Sequence, residues 1–243
     1  MNEIRVNPQL DIRRETISEV QHCVVVDDFL QDPHGLVEFA AQHASEFSSP
    51  DSSYPGQQFV VNDDAMKDIY RFIRFQMTRH FPFLKGNMNL YTNLSMATTH
   101  PNKLWNLQRI CHTDLPSPGR TIYAGLVYLF ENEDLGGTDF YRYHDADLVE
   151  KAVAMQSEGP EKGLAFLQEH FPTYRKPPCY MTKSNEIAEL ICSFPARFNR
   201  LLFYSGQIPH SGAITAPELL SRDIRKGRLT LNVFADVLPK HEG

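Results

Sequence analysis

The stretch Gly227-Arg228-Leu229-Thr230-Leu231-Asn232-Val233-Phe234 alternates without a break, with Arg228, Thr230 and Asn232 on one face and Leu229, Leu231 and Val233 on the other. A period of two is the pattern of a β-strand with two distinct faces, so a strand is expected over 228–237. Its unusual member is Arg228. An arginine pointing into a β core requires a carboxylate partner, and the strand carries no acid on that face before Asp236. A small-molecule carboxylate, gripped bidentately by the guanidinium fork, meets that need.

Working outward, β texture dominates the chain from about residue 87 onward. Short β-rich runs separated by turn signals predict strands over 87–97, 104–111, 121–130, 138–143, 186–194 and 197–204. The series is interrupted at about 145–176, where apolar spacing indicates two short helices inserted at a strand connection. Before residue 87 the order is different. A β-branched run at 23–30 leads into Asp32-Pro33 and a helix bearing Leu36, Val37, Phe39 and Ala40. A Ser/Pro/Asp/Gly-rich surface loop follows at 48–57, then a second helix bearing Met66, Ile69, Tyr70, Phe72, Ile73 and Met77. No internal repeat and no linker is visible. The expectation is one mainly β domain over 1–243, with a helical N-terminal part at about 27–86 and an insert at about 145–176.

Composition narrows the function. The 243 residues carry 24 Lys plus Arg against 30 Asp plus Glu, a formal charge of −6, and show no basic stripe. Nucleic acid is therefore not an expected partner. No apolar run is long enough for a membrane span, and the N-terminal residues lack the apolar core of a secretory signal. The four widely spaced cysteines read as reduced and structural. Together these features predict a cytoplasmic protein. Ten histidines are enough for a metal site, and the motifs indicate which ones matter.

In Cys111-His112-Thr113-Asp114, residues two apart on a strand project to one face, so His112 and Asp114 can hold one ion. Downstream, Tyr204-Ser205-Gly206-Gln207-Ile208-Pro209-His210 delivers a single histidine at a strand end. Two imidazoles and a carboxylate that leave coordination positions open suit non-haem Fe(II). Tyr143-His144-Asp145 is a second His-Asp pair, but neighbours on a strand face opposite ways and cannot chelate together. His100 and Trp105 lie in a loop where they either touch substrate or cap the fold. His22, His34, His43, His80, His170 and His241 have no partner at ligand spacing and are read as surface residues.

Taken in order, these motifs carry a family resemblance. His112-x-Asp114, then Tyr128-Leu129 with a Gly136-Gly137-Thr138 turn, then His210, then Arg228-x-Thr230, resembles the iron(II)/2-oxoglutarate-dependent dioxygenases, in particular the prolyl-hydroxylase-like branch. The run Val24-Val25-Val26-Asp27-Asp28-Phe29-Leu30 is similar to the first strand of those proteins, so the resemblance extends over about residues 23–236. It implies a double-stranded β-helix, a jelly-roll or cupin-like barrel with N-terminal helices and a helical insert. It further implies Fe(II) held by His112, Asp114 and His210, and 2-oxoglutarate bound through Arg228 and Thr230. Tyr123 and Tyr128 lie on opposite faces of one strand, and Tyr123 is assigned the hydrogen bond to the cosubstrate.

The implied reaction uses molecular oxygen to hydroxylate an unactivated C–H bond of a small molecule, an amino acid or a protein side chain. Asp114 favours hydroxylation, because halogenating relatives carry a small residue at that position. Two departures from the family stand out. The long interval from Asp114 to His210 is filled by the insert, and residues 213–226 must loop out before Arg228, leaving Arg222 and Arg225 as competitors for the cosubstrate. The alternative reading is a non-catalytic or 2-oxoglutarate-independent metal-binding cupin-like module. The expected determinants of substrate choice are 48–57, 98–106 and 145–176.

Overall fold

The computed structural model describes residues 3–50 and 54–239. Residues 51–53 of the anticipated loop, and His241, lie outside this range. The strands are β1 (Ile12–Thr16), β2 (His22–Val26), β3 (Gly56–Val60), β4 (Asn87–Ala97), β5 (Thr121–Tyr128), β6 (Thr138–Tyr143), β7 (Ala188–Phe194), β8 (Leu201–Ser205), β9 (His210–Gly212) and β10 (Arg228–Leu238). The helices are α1 (Pro33–Gln42), α2 (Lys67–Phe75), α3 (Ala146–Glu158) and α4 (Pro160–His170). A seven-stranded sheet runs β1-β2-β8-β5-β10-β4-β3, and a three-stranded sheet runs β7-β6-β9. Every strand pairing is antiparallel. The two sheets, mainly β with flanking helices, form a double-stranded β-helix.

Parity along each strand divides the large sheet into two faces. Leu229, Leu231, Val233, Ala235 and Val237 of β10 join Tyr123 and Val127 of β5 and Leu201 and Phe203 of β8 in a core closed by α1 and α2. The opposite parity, with Arg228, Thr230, Asn232 and Phe234 of β10 and Ala124 and Leu126 of β5, lines a cavity. Helix α1 starts where Asp32 accepts a hydrogen bond from Gly35 N at 2.8 Å and Pro33 supplies a preset first turn. Helix α3 starts likewise, with Asp145 accepting from Leu148 N at 2.9 Å. Helices α3 and α4 form the insert and pack through Val149, Ala152 and Leu167 against Tyr141, Ala188 and Cys111 behind the small sheet.

Several expectations change. The segment 104–111 is not a strand: Asn106–Arg109 forms a 3-10 turn. Its polar groups are taken up by the insert, with Asn106 Nδ2 donating to Gln156 Oε1 and Pro160 O, and Arg109 donating to the Thr173 and Lys176 carbonyls. Two edge strands, β1 and β3, escaped the sequence reading, and β3 begins within the anticipated surface loop. The four cysteines are free thiols, Cys23 and Cys111 buried among them. No helix among the described residues is long and apolar enough to cross a membrane.

Candidate metal and cosubstrate site

His112 and His210 form an isolated antiparallel bridge, each amide donating to the other's carbonyl at 2.9 and 2.8 Å. This bridge lengthens the small sheet by one backbone and sets the two imidazoles side by side, with ring centroids 4.5 Å apart. Asp114 is fixed two residues on, where its amide donates to Gly206 O at 2.8 Å. Gly206 is required here by its size: a Cβ at that position would stand 2.5 Å from Asp114 Oδ2. One ligand atom from each of His112, Asp114 and His210 lies within 4.8 Å of the others. Among the described residues this is the single such cluster of three.

The environment prepares these groups for a cation. His210 Nδ1 lies 2.8 Å from the Ile208 carbonyl and donates to it in the tautomer that leaves Nε2 a bare acceptor, 3.9 Å from Asp114 Oδ2. Burial pushes the His210 imidazole down to about 4. His112 opens onto the cavity, yet burial of the site and the neighbouring His210 also bring it to about 4. Both rings are thus neutral at pH 7 and carry free lone pairs. Burial pushes the Asp114 carboxyl up to about 6, and its Oδ2 is buried without a hydrogen-bond partner among the described residues. A buried carboxylate oxygen without a donor, facing two neutral imidazoles, fits a divalent metal.

The cavity behind the triad has a volume of about 430 Å³ and reaches Arg228 and Thr230. Arg228 is buried, its Nε donating to the Leu135 and Gly136 carbonyls at 3.1 Å and its Nη2 to Gly137 O at 2.8 Å. The Gly136-Gly137 turn makes this cradle possible. A Cβ on Gly136, whose φ is 86°, would meet Ala213 O at 1.9 Å, and one on Gly137 would meet Phe194 O at 1.9 Å. No carboxylate of the described residues pairs with Arg228. Asp236, the same-face acid of β10, is engaged by Arg120 at 2.8 Å. Arg225 is tied to Glu38 at 2.7 Å on the surface, and Arg222 is exposed in the loop before β10. Of the three competing arginines, Arg228 alone lines the cavity.

Tyr123 is corrected. It packs against Phe81 and Phe203 in the helix-facing core, with the seven-stranded sheet between it and the cavity. Tyr128 has the inward parity, and its hydroxyl is 2.8 Å from Thr138 Oγ1. Three tyrosines line the cavity instead, Tyr54, Tyr180 and Tyr204, and of these Tyr54, which the sequence reading left in a loop, also has Thr230 and Ser95 close by. Burial pushes its hydroxyl up to about 12, against the opposing pull of Arg228, Thr230 and Ser95 close by. Asn232 donates to Ser95 Oγ at 2.9 Å and continues the polar wall. The other described histidines stay away from the triad. His22 stacks on Phe81 and His43 on Phe39, so neither is simply a surface residue. His100 receives the Asn102 amide and caps a turn, and Trp105 is exposed.

Residues 8–235 match a family described as one of unknown function, DUF6445. The chain belongs to the DUF6445 family. No curated protein matches it. Among solved structures it is similar to HygX from Streptomyces hygroscopicus with nickel and 2-oxoglutarate bound, at 13% identity and TM-score 0.43, covering 90% of this chain and 83% of that one. It is also similar to a Pseudomonas putida prolyl-4-hydroxylase, at 11% identity and TM-score 0.43, covering 91% and 94%. A third is a prolyl hydroxylase from Trichoplax adhaerens in complex with a hypoxia inducible factor peptide fragment, at 11% identity and TM-score 0.46, covering 88% and 83%.

Proposed function

We propose that this DUF6445 protein is a single-domain Fe(II)- and 2-oxoglutarate-dependent dioxygenase that hydroxylates a C–H bond of its substrate. One observation carries the reading: three metal-competent donors stand at one end of a cavity, and a buried arginine with no carboxylate partner among the described residues lines it further in. His112, Asp114 and His210 would hold the iron. Arg228, with Thr230 and Tyr54 beside it, would bind the distal carboxylate of 2-oxoglutarate. When bound, ferrous iron supplies the activation of O2 that is coupled to oxidative decarboxylation of the cosubstrate. Overall, one oxygen atom of O2 enters the substrate as a hydroxyl, the other enters succinate, and CO2 leaves.

The chain's own residues have positioning and electrostatic tasks. Three backbone carbonyls hold the Arg228 fork rigid, so binding a carboxylate costs little side-chain entropy. The Ile208 carbonyl fixes the His210 ring, and the polar Ser95–Asn232 wall orients the guest. The test is metal titration with Fe(II) under nitrogen, or with Mn(II). One ion per chain is expected, with binding lost in Asp114→Ala and in His210→Ala. Unaltered metal binding in both variants contradicts the ligand set. Metal binding without any effect of 2-oxoglutarate would turn the reading into a metal-binding cupin-like module.

A further inference from the structure

Of the three tyrosines that line the cavity, two have their hydroxyls accounted for within the chain. Tyr180 donates to the Thr99 carbonyl at 2.7 Å, and Tyr54 has Thr230 and Ser95 close by. Tyr204 differs. It is 2% exposed, and its hydroxyl has no hydrogen-bond partner among the described residues. A tyrosine buried to this degree ordinarily sets its O–H against an acceptor. The Tyr204 hydroxyl is therefore a donor held for a guest of the cavity that it lines.

Its place in the barrel says which end of that guest it meets. Tyr204 of β8 is in register with Ala124 of β5, which in turn pairs with Phe234 of β10. Arg228 stands at the opposite end of the inward row of β10. The Tyr204 ring lies edge-on to the His210 ring with centroids 5.0 Å apart, and edge-on to Phe140 at 4.8 Å, so packing holds the side chain at the triad end. Burial, and after it Asp114, push its pKa well above the usual tyrosine range, against a weaker pull from Arg228. The hydroxyl keeps its proton at neutral pH.

We propose that the Tyr204 hydroxyl donates a hydrogen bond to the 2-oxo acid end of the cosubstrate, the end that faces the triad, while Arg228 holds the distal carboxylate. This rests on the dioxygenase reading. A neutral donor suits that end of the cavity, because it stabilises a carboxylate and leaves the open metal positions to the guest.

The test compares the parent protein with Tyr204→Phe and Tyr180→Phe, each loaded with Mn(II). The guests are 2-oxoglutarate and 2-oxopentanoate, which keeps the 2-oxo acid and lacks the distal carboxylate. Relaxation of water protons by the bound Mn(II) reads the displacement of its waters by either guest. Tyr204→Phe removes one oxygen atom and keeps the ring that packs on His210 and Phe140, and thermal melting checks its fold. It is expected to bind Mn(II) within about twofold of the parent and to weaken both 2-oxo acids by the same factor, about tenfold. Tyr180→Phe is expected to stay within about twofold for both, because its hydroxyl is already engaged. Unchanged 2-oxoglutarate affinity in Tyr204→Phe overturns the proposal. So does a loss confined to 2-oxoglutarate, which would move the hydroxyl to the distal carboxylate, and so does a loss of Mn(II) binding along with both acids, which would mark a packing role. A parent protein that binds Mn(II) but neither 2-oxo acid overturns the dioxygenase reading itself, and this proposal with it.

Discussion

Tyr54 and Tyr123 lie on opposite sides of one sheet, and that difference makes them a paired test at the residue scale. Tyr54→Phe removes a hydroxyl next to Arg228 and Thr230, and 2-oxoglutarate affinity is expected to fall about five- to tenfold, the worth of one hydrogen bond. Tyr123→Phe removes a hydroxyl from the helix-facing core and is expected to leave that affinity unchanged in the same calorimetric titration. Equal loss in both variants would contradict the face assignment. Asp114 supplies a second prediction. Its carboxylate is buried and lacks a hydrogen-bond donor among the described residues, so its charge costs stability until a cation arrives. At pH 8 the metal-free Asp114→Asn variant is expected to melt no lower than the parent protein, and to lose the thermal stabilisation that Mn(II) gives the parent.

At the scale of elements, the β10 alternation was fully legible. The residues assigned to its two faces, with Arg228, Thr230 and Asn232 inward, are those the cavity and the core receive. Strands β4 and β6 also match their expected bounds. Edge strands were not legible, because β1 (IRRET) and β3 (GQQFV) pack one side weakly and carry little apolar alternation. The 104–111 segment looked extended by composition, but its hydrogen bonds come from an insert distant in sequence, which a local reading cannot see. The parity of Tyr123 against Tyr128 was legible, whereas which parity faced inward depended on where the helices packed. The turn before β8 is held by Asn199, which adopts φ 61° and bonds both Leu30 N and Leu30 O at 2.8 and 2.9 Å. Asn199→Ala is expected to cost about 2–3 kcal/mol in urea unfolding, because it strands two buried backbone groups and strains a left-handed residue. A change below about 0.5 kcal/mol would show that this link is not holding the turn.

At the scale of the molecule, Asp27 ties β1, β2 and the turn before β8 together through Arg13 at 2.6 Å, Arg200 at 2.6 Å and Arg197 at 3.3 Å. The Arg200 and Arg13 guanidiniums hold its carboxyl at about 2, below the usual carboxylate range. A depressed folded value stabilises the native state above the unfolded value near 4, and the gain is lost as pH falls through 2. Stability measured by thermal melts is therefore expected to drop by about 2 kcal/mol on this account between roughly pH 5 and pH 2, and Asp27→Asn is expected to flatten that part of the profile. An unchanged slope would remove Asp27 from the acid response.

The clustering of His112, Asp114 and His210 was legible because they are rare residue types set in short motifs. The place of Tyr54 was not, because its loop meets Arg228 and Thr230 only in three dimensions. The central claim, a metal-dependent 2-oxoglutarate site, is tested most directly by anaerobic equilibrium titration of 2-oxoglutarate with and without Fe(II), in the parent protein, His112→Ala, Arg228→Ala and Arg228→Lys. The account predicts tight binding only with Fe(II), abolished by His112→Ala and weakened roughly a hundredfold by Arg228→Ala, with Arg228→Lys intermediate. Binding that is indifferent to Fe(II) and equal in all four proteins would contradict it.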